Sequence, residues 1–123
     1  DQTTQTLPHI KAQRVKLYGV TTLERIKTLP DSPTLQENGL QGFEVKVWHG
    51  VYAPKGTPPE VVAKFNEALR NALNDPAFSQ KMAELGAEIV PEAKQTPAGL
   101  QSWLQSEVDK WGPIIRKAGV YAD

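Results

Sequence analysis

Cysteine is absent from these 123 residues, which excludes disulfides, thiolate metal sites and cysteine nucleophiles. That absence suits an exported protein and a cytosolic one equally. Net charge is absent too: fourteen basic and fourteen acidic residues cancel, and they are interspersed rather than run together. Without a field of one sign there is nothing to draw in nucleic acid or an anionic membrane, so no nucleic-acid partner is expected. No stretch approaches the roughly 18–20 apolar residues a membrane span needs. The opening Asp1-Gln2-Thr3-Thr4-Gln5-Thr6 lacks both the positive start and the apolar run of a signal peptide. Either a signal was removed or the chain begins inside a longer protein. Internal repeats and low-complexity runs are missing as well.

Signatures of catalysis are equally scarce. Ser32, Ser79, Ser102 and Ser106 are the serines, and none lies in a G-x-S-x-G elbow. There is no G-x-x-x-x-G-K-[ST] and no G-x-G-x-x-G, so Gly56-Thr57-Pro58 resembles a phosphate-cradling turn only faintly. The acids are scattered, which leaves no pair of carboxylates for acid–base work. His9 has no acid or second histidine at metal-ligand spacing, so neither metal nor cofactor is expected. The chain does not read as an enzyme.

The length allows one domain with one core. Thr3 to Ala12 reads as a short helix whose start Pro8 pins near itself. Arg14 to Val20 alternates and reads as a strand, followed by a loop from Thr21 to Pro33. Thr34 and Glu37 have the spacing of a capping box, with Asn38-Gly39 as an early stop, so a very short helix is expected. From Phe43 the period is two: Phe43, Val45, Val47, His49 and Val51 share one face, Glu44, Lys46, Trp48, Gly50 and Tyr52 the other. The first face is expected in the core. The second carries bulky aromatics and is expected to meet another layer or a cleft. Glu44 and Lys46 read as a solvated pair.

Ala53-Pro54-Lys55-Gly56 breaks this strand. Thr57, Pro58 and Glu60 then repeat the capping box and open a helix to about Asn74. Asp75-Pro76 starts another, which Gly86 closes, and Ala87 to Val90 reads as a short strand. Thr96-Pro97 caps the last helix, whose stripe from Leu100 through Trp103, Val108 and Trp111 to Ile115 has the spacing of a core face. Pro113 is expected to bend it. The sum is α/β, helix-rich with few strands.

The ordered motifs carry a further signal. Pro30-Asp31-Ser32-Pro33-Thr34-Leu35-Gln36-Glu37-Asn38-Gly39-Leu40, Gly42-Phe43-Glu44, the aromatic before Gly50, and Ala53-Pro54-Lys55-Gly56-Thr57-Pro58 follow one another. In this order they closely resemble the Bug-type (TctC-like) solute-binding proteins of tripartite tricarboxylate transporters, and the resemblance runs to the chain's end. It implies part of a periplasmic-binding-protein type II-like fold: two α/β lobes joined by crossover strands. It also implies a periplasmic location, a small organic acid held in the cleft largely by backbone N–H groups and water, and delivery to membrane permease subunits.

Only the later part of the family's sequence is matched. Residues 1–22 resemble a remnant of the second lobe and the crossover strand. Residues 23–42 resemble a connecting loop with a short helix, and 43–123 the closing half of the first lobe. Residue matching makes Asp1, Gln2, Thr3 and Thr4 cleft candidates, with Trp48 and His49 near the crossover. Asp1 is terminal here, whereas in the family it follows buried strand residues. His49 has two readings: a donor to a carboxylate at the cleft mouth, or a satisfied core imidazole beside Val47 and Val51. Most of the family's ligand-gripping loops lie upstream. Bare sheet edges and apolar helix faces would favour pairing with another chain, so a dimer, strand-exchanged in one form, is expected to bind carboxylates weakly or not at all. The alternative is a self-associating α/β fragment without ligand chemistry.

Overall fold

In a computed structural model that describes residues 1–120, four α-helices account for the regular structure: α1 (Thr3–Lys11), α2 (Pro59–Leu73), α3 (Pro76–Glu84) and α4 (Pro97–Ala118). A 3₁₀ turn, Glu92–Lys94, precedes α4. The chain forms two compact units, one of Asp1–Val51 with Ala72–Ile89, the other of Tyr52–Asn71 with Val90–Asp123.

The later caps form as their residue types dictate. Asp75 Oδ1 accepts the Phe78 N–H at 2.9 Å and opens α3. Thr96 Oγ1 accepts the Gly99 N–H at 3.0 Å and opens α4, which Gly119 ends at φ 68°. One proline expectation fails. Pro8 does not set the start of α1; the helix runs through it from Thr3. Pro8 has no N–H to donate to Thr4 O, so the helix runs on without that one bond, and Leu7 beside it is buried. α4 likewise continues through Pro113. Gln13, in the left-handed region at φ 54°, closes α1 with Arg14 N–H donating to His9 O at 2.9 Å.

α2 begins at Pro59, not at a Thr57 capping box. The Thr57 hydroxyl instead donates to Pro54 O at 2.8 Å and closes the preceding turn. Thr34 and Glu37 do form their box: Glu37 N–H donates to Thr34 Oγ1 at 3.0 Å, and Thr34 N–H to Glu37 Oε2 at 2.7 Å. It caps a single hydrogen-bonded turn rather than a helix, because Gly39 follows at φ 103°.

No strand occurs among the described residues, which corrects the expected strands at 14–20, 43–52 and 87–90. Each run lacks a ladder, because alternation sets the backbone but a strand exists only with a partner. One parallel bridge joins Val20 to Thr34, with Val20 N–H donating to Pro33 O and Leu35 N–H to Val20 O, both at 2.9 Å. Around it lie the buried Val20 and Thr34, the latter 1% exposed.

The expected core faces are consequently open. Val47 and Val51 are 61% and 55% exposed, and His49 is exposed rather than a core imidazole. The α4 stripe is also uncovered: Trp103 is 42% exposed and Val108, Ile114 and Ile115 are exposed, while Trp111 is half-buried and donates to Glu107. An apolar stripe is buried only where a second layer covers it. Leu7 and Val20 are the buried apolar side chains among the described residues, so one shared core does not form.

Candidate functional site

The first turn of α1 holds four of the six candidates. Gln2 is the extended N-cap residue, at φ −83° and ψ 142°, and it makes no side-chain capping bond. Its carbonyl accepts the N–H groups of Gln5 and Thr6, each at 3.0 Å, together with the Thr6 hydroxyl. The Asp1 carboxylate accepts the Gln2 N–H at 2.8 Å. No acid stands in the first turn itself, and His9 and Lys11 stand in the last. The helix dipole makes this N-terminal end positive, and the Asp1 carboxylate beside the N-cap offsets part of it.

Gly86 fixes where that turn sits. Its backbone lies at φ 72°, and a Cβ there would come within 2.7 Å of Thr3 Cγ2 and 3.2 Å of Thr28 Oγ1. Only glycine allows both the left-handed backbone and this approach. Thr28 Oγ1 beside it is buried with no hydrogen-bond partner.

Trp48 and His49 stand on the extended run instead, Trp48 half-buried and His49 exposed. Val45 ties that run down, its N–H donating to Thr21 O at 3.1 Å and its carbonyl accepting the Thr21 hydroxyl at 2.7 Å. Lys46 and Glu44 pair at 2.9 Å, as their alternation implied. The Glu44 carboxylate raises the Lys46 amine above its usual value, and Glu88 and Glu24 add to this.

Two features escaped the sequence reading. Arg25 grips Glu37 twelve residues away, and nothing periodic announces such a pair. In the second unit, Thr57, Val62, Asn66, Arg70 and Pro97 line an open trough of about 730 Å³. Arg70 pairs with Glu92 at 2.8 Å through one terminal nitrogen while its Nε is buried without a hydrogen-bond partner, and Asn66 donates to Gln95 O at 3.3 Å. None of the six candidates lines it. Among the described residues, no three His, Asp or Glu side chains gather as metal ligands would.

Comparison with known proteins gives the family. Residues 2–120 match the family described as tripartite tricarboxylate transporter family receptor. An Agrobacterium vitis protein, named UPF0065 protein in the TAR-I ttuE-ttuC' intergenic region, is 44% identical over 97% of the chain, which covers 34% of that protein. Protein BugT of Bordetella pertussis is 28% identical over 92% of the chain and 34% of its own length. Among solved structures, the periplasmic binding protein BugD superposes at a TM-score of 0.92, with 46% identity, over 100% of this chain and 41% of its own. MatC from Rhodopseudomonas palustris, solved with bound malate, gives 0.88 and 35% identity over 94% of this chain and 39% of its own. The chain thus spans about a third of the length of these curated relatives. The fold is that of part of a periplasmic-binding-protein type II-like protein, with strand segments whose ladders are unfilled. By family match, identity and superposition, the chain belongs to the tripartite tricarboxylate transporter receptor family.

Proposed function

We propose that these residues are part of a periplasmic solute-binding protein that captures a small organic acid and delivers it to the permease subunits of a tripartite tricarboxylate-type transporter. The observation that carries this reading is the likeness to MatC, 35% identical at a TM-score of 0.88 and solved with bound malate. A second neighbour, R. palustris Rpa4515, was solved with adipate, is 30% identical and superposes at 0.83. Binding is the task in this reading, in keeping with a family described as receptors and a neighbour described as a periplasmic binding protein.

In this reading residues 1–22 belong to the second lobe and the crossover, 23–42 form the connection, and 43–123 belong to the first lobe. Gln2, Thr3 and Thr4 present the uncapped end of α1 to a ligand carboxylate, and Asp1 beside them accepts from a donor group of the same ligand. Trp48 lines the cleft with its ring, and the exposed His49 offers a donor beside it.

The test is a chimera in which this chain replaces the matching stretch of MatC. Calorimetry against malate and other small dicarboxylates is expected to show saturable binding. A chimera that melts cooperatively and binds none of the panel would overturn the reading. It would leave the self-associating fragment without ligand chemistry.

A further inference from the structure

Thr3 and Gly86 lie far apart in sequence, yet they meet side by side within one compact unit. Gly86 closes α3 in a doubly bonded turn: its N–H donates to Ala83 O and the Ala87 N–H to Met82 O, both at 2.9 Å. That turn alone calls for the left-handed backbone found at residue 86. The approach to Thr3 is a separate demand. A Cβ at residue 86 would meet the Thr3 methyl carbon at 2.7 Å and Thr3 Cβ at 3.4 Å. The Thr3 methyl, rather than its hydroxyl, therefore fills the space that glycine leaves.

Threonine in a helix divides between two rotamers, because its hydroxyl can bond a carbonyl one turn back. Thr3 is the first residue of α1, so the carbonyls one turn back lie outside the helix. Packing decides instead. A methyl seated against Gly86 fixes the rotation about Cα–Cβ, and with it the direction in which the hydroxyl leaves Cβ. Thr28 Oγ1 borders the same seat, 3.2 Å from that Cβ position, and it is buried with no hydrogen-bond partner. An unpaired buried hydroxyl costs stability, and folds keep such departures chiefly at working sites.

We propose that Gly86 is a positioning residue of the solute site: by seating the Thr3 methyl, it holds the Thr3 hydroxyl in the one rotamer that donates to the ligand carboxylate. The inference rests on the solute-binding reading above and deepens it. Part of the site's geometry is thereby assigned to the turn that closes α3, which need not touch the ligand at all.

Calorimetry of the MatC chimera against malate tests this, with melting curves to follow the fold. Thr3→Val keeps the seated methyl and removes the hydroxyl, and is expected to lower affinity about tenfold or more. Thr3→Ser keeps the hydroxyl but removes the seated methyl. All three staggered wells then open, and a loss of roughly threefold is expected. Gly86→Ala pushes on the methyl and turns the hydroxyl off its line, so its loss is expected to approach that of Thr3→Val. Combining Gly86→Ala with Thr3→Ser removes the collision and is expected to return affinity to that of Thr3→Ser alone, a rescue that a merely structural glycine does not give. Gly39→Ala, also at positive φ but with nothing within 4 Å of the added carbon, is expected to leave affinity unchanged.

Native affinity in a folded Gly86→Ala chimera would overturn the proposal. Equal affinities for the native chimera, Thr3→Ser and Thr3→Val would overturn it too, and that comparison holds even where Gly86→Ala does not fold. Either result, with malate still bound by the native chimera, leaves the solute-binding reading standing; a folded native chimera that binds no acid removes both.

Discussion

Arg25 holds Glu37 side-on, its Nε lying 3.1 Å from both carboxylate oxygens. The same guanidinium donates to Pro30 O at 3.0 Å, and Glu37 Oε2 also accepts the Thr34 N–H at 2.7 Å. One carboxylate thus joins the loop before the Thr34 turn to the turn itself. Through Thr34 it reaches the bridge to Val20.

That bond set predicts an acid-sensitive turn. The Arg25 hydrogen bond lowers the Glu37 carboxyl below the usual carboxylate range, and the Thr34 N–H lowers it further. A carboxylate with a depressed folded value stabilises the fold above its unfolded value. The contribution is lost as pH falls through the folded value. Melting temperature followed from about pH 6 to about pH 3 is therefore expected to fall more steeply for the native chain than for Glu37→Gln. Added salt is expected to narrow the difference, because both partners are half exposed and screened. Identical acid limbs would show that the pair contributes nothing.

What the sequence made legible was local. Asp75-Pro76 and Thr96-Pro97 work as caps because a side-chain oxygen need only reach an N–H three residues on. Thr34 and Glu37 were legible for the same reason. Arg25 was not, since its partner lies across a loop without periodicity. The alternation from Phe43 to Val51 says nothing of whether a neighbour is present, and without one neither the strand nor its core face forms. The six candidate residues came from motif order, not from geometry, and local physics alone would not have singled out Gln2 or Thr4.

Gly86 predicts a coupling between α3 and α1. Gly86→Ala places a Cβ 2.7 Å from Thr3 Cγ2 on a backbone at φ 72°. The strained backbone and the overlap together are expected to destabilise the first unit by about 1–3 kcal/mol. Gly39→Ala is the control, since its φ is 103° and nothing lies within 4 Å of the added carbon. It isolates the backbone contribution, on the order of 1 kcal/mol. Urea denaturation of both variants measures the difference, and equal losses would show that the contact with Thr3 carries no weight.

Trp48 predicts a ligand effect that the melting curve separates from any fold effect. It is half-buried on a run that lacks a ladder. In the MatC chimera, Trp48→Ala is expected to lower carboxylate affinity roughly tenfold, because an aromatic wall both excludes water and packs on the ligand. Trp48→Phe is expected to recover most of that loss. Calorimetry reads the affinity and the melting curve reads the fold; unchanged affinity in Trp48→Ala would remove the residue from the cleft.

Thr34 joins the turn to the bridge, and this predicts non-additivity. Its side chain is buried and its hydroxyl accepts the Glu37 N–H at 3.0 Å. Thr34→Val keeps the shape but removes that acceptor, which is expected to cost about 1–2 kcal/mol. Glu37→Gln weakens the reciprocal arm and the Arg25 grip at once. Because both substitutions act on one set of bonds, the double variant is expected to lose less than the sum of the singles. Thr34→Ser restores the acceptor while giving up only a methyl group, so it is expected to recover the coupling with Glu37. Strict additivity in denaturant titrations would mean that the two arms act independently, and the Val20–Thr34 bridge would then rest on its own backbone bonds alone.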